Sequence, residues 1–316
     1  MSTRDRTSQI IEIKKRDPTR HGFLSHSLVG LSRKWAEVAQ RGESQSDFYL
    51  IRGVTILEVS TRQQIAKLID HAKPFTDRAV ELSKQIEMDF ATVRDVQGRA
   101  ITLGDIVAHS IPVNSFSQIM GYFETLLGKP FRPLLLGAID RWSVEIERQP
   151  SEPIIPDFDT LASHLNRLFE MRHILCHELP EKPVYLTSEV AELLADATRF
   201  TKAAETVLHF EEYGLTPLTQ TDMNIDAMNR LKETEEEMNG LLAEIRGRAQ
   251  HAKQEIASLN DAQEKWLAYR NAHCDFVTWL NQGGTIRTLL WAGGARKMTA
   301  DRISELQSWL EGRSRL

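Results

Sequence analysis

The chain has 316 residues, 41% hydrophobic and 26% charged, with a net charge of −5. That composition describes an ordinary folded protein and excludes a disordered or fibrous one, while the length predicts two domains, since single cores usually stop near ~100–200 residues. Two cysteines, Cys176 and Cys274, exclude a disulfide framework and fit a reducing compartment, and the negative balance confines any nucleic-acid contact to a local basic patch.

The first twenty residues, MSTRDRTSQIIEIKKRDPTR, are charged throughout and lack the apolar core of a signal peptide. No later window reaches the ~18 apolar residues of a membrane span, so a cytoplasmic protein without membrane contact is expected. Residues 1–19 read as a solvated basic arm carrying Lys14, Lys15 and Arg16, with Arg20 just beyond; Arg296, Lys297, Arg313 and Arg315 make the other end basic.

Apolar residues recur at three and four positions along nearly the whole chain, which predicts an all-α fold. Ser46 to His71, with Phe48, Ile51, Val54, Ile56, Leu57, Val59, Ile65, Leu68 and Ile69, is too apolar for a surface helix and is expected at the centre, closed by Lys73-Pro74. A second helix is predicted over Thr76 to Phe90, then a connecting stretch from Val93 to Pro112, then a helix over Ser115 to Leu127. Gly128-Lys129-Pro130 ends that helix, and no phosphate-loop pattern surrounds the Gly-Lys pair. Pro150, Pro153 and Pro156 forbid helix over 149–156 and make a rigid loop. The next helix begins near Asp157 or Asp159, buries Leu161, Leu165, Leu168, Phe169 and Leu175, and is limited by Pro180 and Pro183. Glu189 to Phe210 is amphipathic, and Tyr213-Gly214-Leu215-Thr216-Pro217 marks a domain boundary.

Beyond that boundary a long helix carries an apolar stripe from Met228 to Ile245 and an acidic face of Glu233, Glu235, Glu236, Glu237 and Glu244. Asn260 with Gln263 predicts a helix starting at Asp261, with Trp266, Tyr269, Phe276, Val277 and Leu280 on its inner side and Gly283-Gly284 ending it. Thr299 is expected to cap a last helix, Ala300 to Leu310.

The chemistry concentrates in Arg172-His173-Ile174-Leu175-Cys176-His177. A guanidinium stays charged at any cellular pH and holds a phosphate; an imidazole exchanges a proton near neutrality. On a regular helix Arg172 and His177 stand ~140° apart, whereas His173 and His177 share a face. Either the helix deforms near its end, or another subunit completes the working pair. Two other readings of the run remain: cations at a helix end also interact with its last carbonyls, and the two histidines supply only two nitrogen ligands to a metal.

Ile56-Leu57-Glu58 in the central helix, followed much later by Leu168 to His177, resembles the HEPN superfamily (higher eukaryotes and prokaryotes nucleotide-binding). The resemblance lies in an Arg, a polar residue directly after it, and a His that follows the Arg after four to six intervening residues, filled here by Arg172, His173 and His177. It covers roughly residues 20–215 and implies a dimerising helical bundle whose paired motifs form a metal-independent ribonuclease site without a cofactor. An insertion at about 90–156 separates the two signature segments.

Asp261 to Phe276, Gly283-Gly284-Thr285, and Met298-Thr299 through Leu306 are similar to the LprI-type lysozyme-inhibitor-like family. The similarity implies a helical-hairpin domain within residues 216–316. Family members are typically exported and pair the cysteine matching Cys274 with one shortly before the last helix; here that stretch is Ala292-Gly293-Gly294-Ala295. A cytoplasmic module reused for recognition is therefore expected, with Trp266, Arg270 and Arg302 in structural roles. Three functions follow as expectations: a homodimeric RNA-cleaving toxin or antiviral effector with a protein partner or trigger at its C-terminal domain; a non-catalytic helical scaffold; or a lysozyme-binding protein.

Overall fold

A computed structural model describes residues 3–16, 24–41, 46–71, 73–84, 86, 90–98, 101–178, 180, 182, 184–248 and 253–313. Arg20, Pro183 and Arg315 lie outside these residues. Among the described residues all regular structure is helical, apart from a single antiparallel bridge between Ile139 and Pro153. No helix among them is long and apolar enough to cross a membrane. The chain divides into two compact units, residues 1–214 and 215–316.

In the first unit, α1 (Thr3–Arg16), α2 (Ser25–Gln40) and α3 (Ser46–His71) precede two short turns, α4 (Phe75–Arg78) and α5 (Val80–Ser83). There follow α6 (Phe90–Gln97), α7 (Leu103–Ser110), α8 (Phe116–Leu127), α9 (Phe131–Leu136), α10 (Phe158–His177) and α11 (Glu189–Tyr213). The axis of the bundle is α3, whose Leu50, Val54, Leu57, Ile65 and Leu68 are buried in one continuous core with side chains of α2, α8, α10 and α11. Small residues let its neighbours approach: a Cβ on Gly53 would come within 2.9 Å of Leu194, and one on Gly104 within 2.3 Å of the Ala66 carbonyl oxygen.

Three expectations are corrected in this unit. Residues 3–16 form a helix rather than a solvated arm, because Ile10 has an apolar seat with Ile101 and Ile106, and Lys14 pairs with Asp105. Thr76 to Phe90 is not one helix: α4 and α5 break at Ala79, and once Phe75 and Ala79 are buried the next apolar side chain, Val80, faces solvent. The stretch from Val93 to Pro112 holds structure of its own, since Thr102 and Asp105 form a reciprocal capping box that starts α7 against α3.

Among its described residues the second unit has three long helices in up-down-up order: α12 (Gln220–Arg248), α13 (Lys253–Val277) and α14 (Arg287–Arg313). Two apolar clusters sit at its ends. Ala227, Leu231, Cys274, Ala292 and Ala295 make one; Met238, Leu242, Ile245, Ile303, Leu306 and Leu310 make the other. Between them each helix contributes a polar residue. Buried Arg270 pairs with Glu235 at 2.7 Å and donates to Thr299 Oγ1 at 2.9 Å.

Here too the caps were misplaced. Asn260 lies inside α13, and its side-chain oxygen accepts from Arg246 Nε at 3.0 Å instead of capping. Thr299 lies inside α14, fully buried, donating to the Ala295 carbonyl at 2.8 Å. The apolar spacing carries both helices through residues that would end a solvent-exposed helix. The inner side of α13 is also different: Gln263, Arg270 and Cys274 are buried, whereas Tyr269 (60%), Phe276 (77%) and Leu280 (96%) are exposed. Tyr269 and Phe276 stand about 100–120° round the helix from Arg270, and Leu280 lies beyond its end, so the packing phase chose the polar stripe and turned these aromatic side chains outward.

Candidate functional site

The helix that carries the motif is built by its cap and its buried face. Asp157 closes the proline-rich loop and accepts from the backbone N–H groups of Asp159 (3.0 Å) and Thr160 (3.1 Å), satisfying donors that the first helical turn leaves open. These bonds, led by that from the Thr160 hydroxyl, hold the Asp157 carboxyl below the usual carboxylate range. Phe158, Leu161, Leu165, Leu168, Phe169 and Met171 then anchor α10 in the core, and Leu175 packs at its edge. The opposite face is left to polar residues.

Arg172, His173 and His177 all lie on that accessible side. Arg172 is 32% exposed and pairs with Glu58 of α3, Nη2 to Oε1 at 3.4 Å. His173 and His177 are exposed, with ring centroids 5.0 Å apart and planes tilted by 48°. The helix remains α through His177, so it does not deform to bring Arg172 onto His177 within one chain. Cys176 is a free, exposed thiol, and among the described residues no group of three or more His, Cys, Asp or Glu side chains is arranged to hold a metal ion.

Glu58 and Arg62 of α3 complete the surroundings of Arg172, a grouping that the motif itself does not announce. Arg62 Nη1 stands 3.9 Å from Glu58 Oε2, so one carboxylate that is only 14% exposed faces two guanidiniums. The Glu58–Arg62 spacing of four was visible in the sequence; the arrival of Arg172 from another helix was not.

In the second unit Arg270 and Arg302 flank the Trp266 ring, at 5.5 and 5.9 Å from its centroid. Arg302 also pairs with Glu305 at 2.8 Å. Both guanidiniums are thus tied into packing, the structural role that the sequence suggested. With this geometry in place, comparison with known families gives one finding: the family model described as "Lysozyme inhibitor LprI" matches residues 216–306. Residues 216–306 form an LprI-type domain. No curated protein and no solved structure matches the chain.

The LprI-type domain departs from the expected disulfide where its helices meet. Cys274 is buried and free, and a Cβ built on Gly294 would lie 3.5 Å from its Sγ. Burial pushes the Cys274 thiol up. Outside this seam Trp279, Ile286 and Leu290 join Tyr269, Phe276 and Leu280 among the exposed large side chains.

Proposed function

We propose that the first unit is a HEPN-type, metal-independent endoribonuclease whose working site forms when two copies place their motif helices together. The observation that carries this reading is the placement of Arg172, His173 and His177 at the accessible end of a helix whose other face is locked in the core. Such a side offers a fixed cation and exchangeable protons to a partner without unfolding anything. In the reaction the RNA's own 2′-oxygen attacks phosphorus, the bond from phosphorus to the 5′-oxygen breaks, and a 2′,3′-cyclic phosphate and a 5′-hydroxyl result. His177 takes the 2′-hydroxyl proton or gives one to the leaving oxygen. Arg172 stabilises the charge that builds on the five-coordinate phosphate, and His173 orients the phosphate or the partner motif. This chemistry suits a toxin or an antiviral effector.

Incubating the purified chain with RNA and identifying product ends by mass spectrometry tests the reading. Arg172→Ala and His177→Ala each lower cleavage by about 10²- to 10⁴-fold while the protein stays folded and dimeric. Equal cleavage by the parent and both variants would sink the enzyme and leave a scaffold, for which the Arg172–Glu58 pair serves helix packing alone.

A second reading concerns the LprI-type domain, and the exposed apolar side chains of α13 and its following turn favour it. The domain acts as a protein-recognition module that restrains or triggers the first unit. Titration of lysozyme activity with the whole chain at micromolar concentration separates the lysozyme-inhibiting form of this reading, which requires inhibition, from recognition of another protein.

A further inference from the structure

The cluster around Glu58 is more than a helix-to-helix tie. Its two guanidiniums belong to different helices, yet both face oxygens of one carboxylate, at 3.4 Å for Arg172 and 3.9 Å for Arg62. The charges sum to one net positive on a chain that is negative overall. At these separations the carboxylate steers both side chains without saturating their N–H donors, since a charge-assisted bond would close to about 2.7–2.9 Å. Arg62 and Arg172 are 26% and 32% exposed, so solvent and solute reach both. A planar guanidinium held in this way matches two oxygens of a phosphate, and two such groups sharing one anchor match two phosphates of one strand.

We propose that Arg62 is a second phosphate-binding residue, which holds the RNA phosphate next to the one that Arg172 engages, and that Glu58 is the positioning residue for both. This rests on the ribonuclease reading above and adds a substrate-binding group to it. Arg62 contributes to binding in the ground state and the transition state alike, because it touches a phosphate that does not react. Arg172 contributes chiefly where charge develops.

The two roles separate in one experiment on the full chain. In a His177→Ala background, affinity for a short fluorescent single-stranded RNA is measured across a salt series. Arg62→Gln, which keeps much of the side chain and removes the charge, weakens binding and makes the plot of log K against log salt shallower by about 0.7, the loss of one phosphate contact. Arg62→Lys restores most of that slope. In the cleaving chain, Arg62→Gln raises KM and leaves kcat unchanged, the signature of uniform binding. If the parent binds and cleaves RNA but Arg62→Gln alters neither the salt slope nor KM, the role given to Arg62 is overturned while the ribonuclease stands. A parent chain that binds no RNA overturns both.

Discussion

The two units solve the problem of packing helices in opposite ways. The first fills one large core with apolar side chains around α3 and leaves the motif residues on the accessible side of α10. In the second, two small clusters are split by the layer of Arg270, Glu235 and Thr299, and several of its large aromatic groups face solvent. A core made by volume tolerates a chemical site on its surface, because removing a surface charge leaves the packing intact. A bundle aligned by a buried guanidinium is instead fixed in register, and it has apolar surface to spare for a partner.

Substitutions can break this contrast, and the largest effect is expected in the core of the first unit. Phe123, fully buried against Phe131, is expected to cost about 3–5 kcal/mol when changed to Ala, read from chemical denaturation of the whole chain. Removing the polar anchor by Arg270→Ala costs about 3 kcal/mol, since Glu235 and Thr299 lose their buried partner. A result within experimental error of the parent would mean that the layer contributes no net stability. Gly294→Cys tests the seam from the other direction: with Cys274 so close, oxidation is expected to form a disulfide and raise stability by about 2–3 kcal/mol over the reduced variant. A mass lower by two hydrogens reports the bond, and its absence at alkaline pH refutes the proximity argument.

Smaller effects complete the series. Burial, followed by the charge of Lys67, lowers the pKa of His209 from 6.5, so the unfolded chain binds the proton more readily than the folded one. Stability of the first unit should therefore decline as pH falls below 6.5 through the lower folded value, and His209→Gln should flatten that decline in melting curves taken between pH 7 and 5. Least of all, Phe276→Ser is expected to change stability by no more than about 0.5 kcal/mol, while weakening any protein partner that the exposed surface holds.

The helical class and the central position of α3 were legible because they rest on long, repeated apolar spacing, as in Val54, Leu57, Ile65 and Leu68. A helix start was legible where its cap met a free helix end, as at Asp157. Asn260 and Thr299 carry the same local chemistry, but tertiary partners claimed their side chains: Arg246 for one, Arg270 for the other. The phase of α13 was read wrongly for a related reason. Aromatic residues look like core, and nothing local says that Arg270 has Glu235 and Thr299 waiting for it. At the candidate site the motif residues were legible as a run, whereas the Glu58 junction depends on two helices separated by more than a hundred positions.

One contact between α2 and α11 constrains how the chain is made. Glu205, buried in α11, accepts from the Ser25 backbone N–H at 3.1 Å and from its hydroxyl at 2.5 Å, and so finishes the first turn of α2 from 180 residues away. On a ribosome adding about 5–20 residues each second, that turn waits roughly ten to forty seconds for its acceptor. The first turn of α2 is thus kept unfinished until the last helix of its bundle has been synthesised, which ties its completion to the emergence of Glu205.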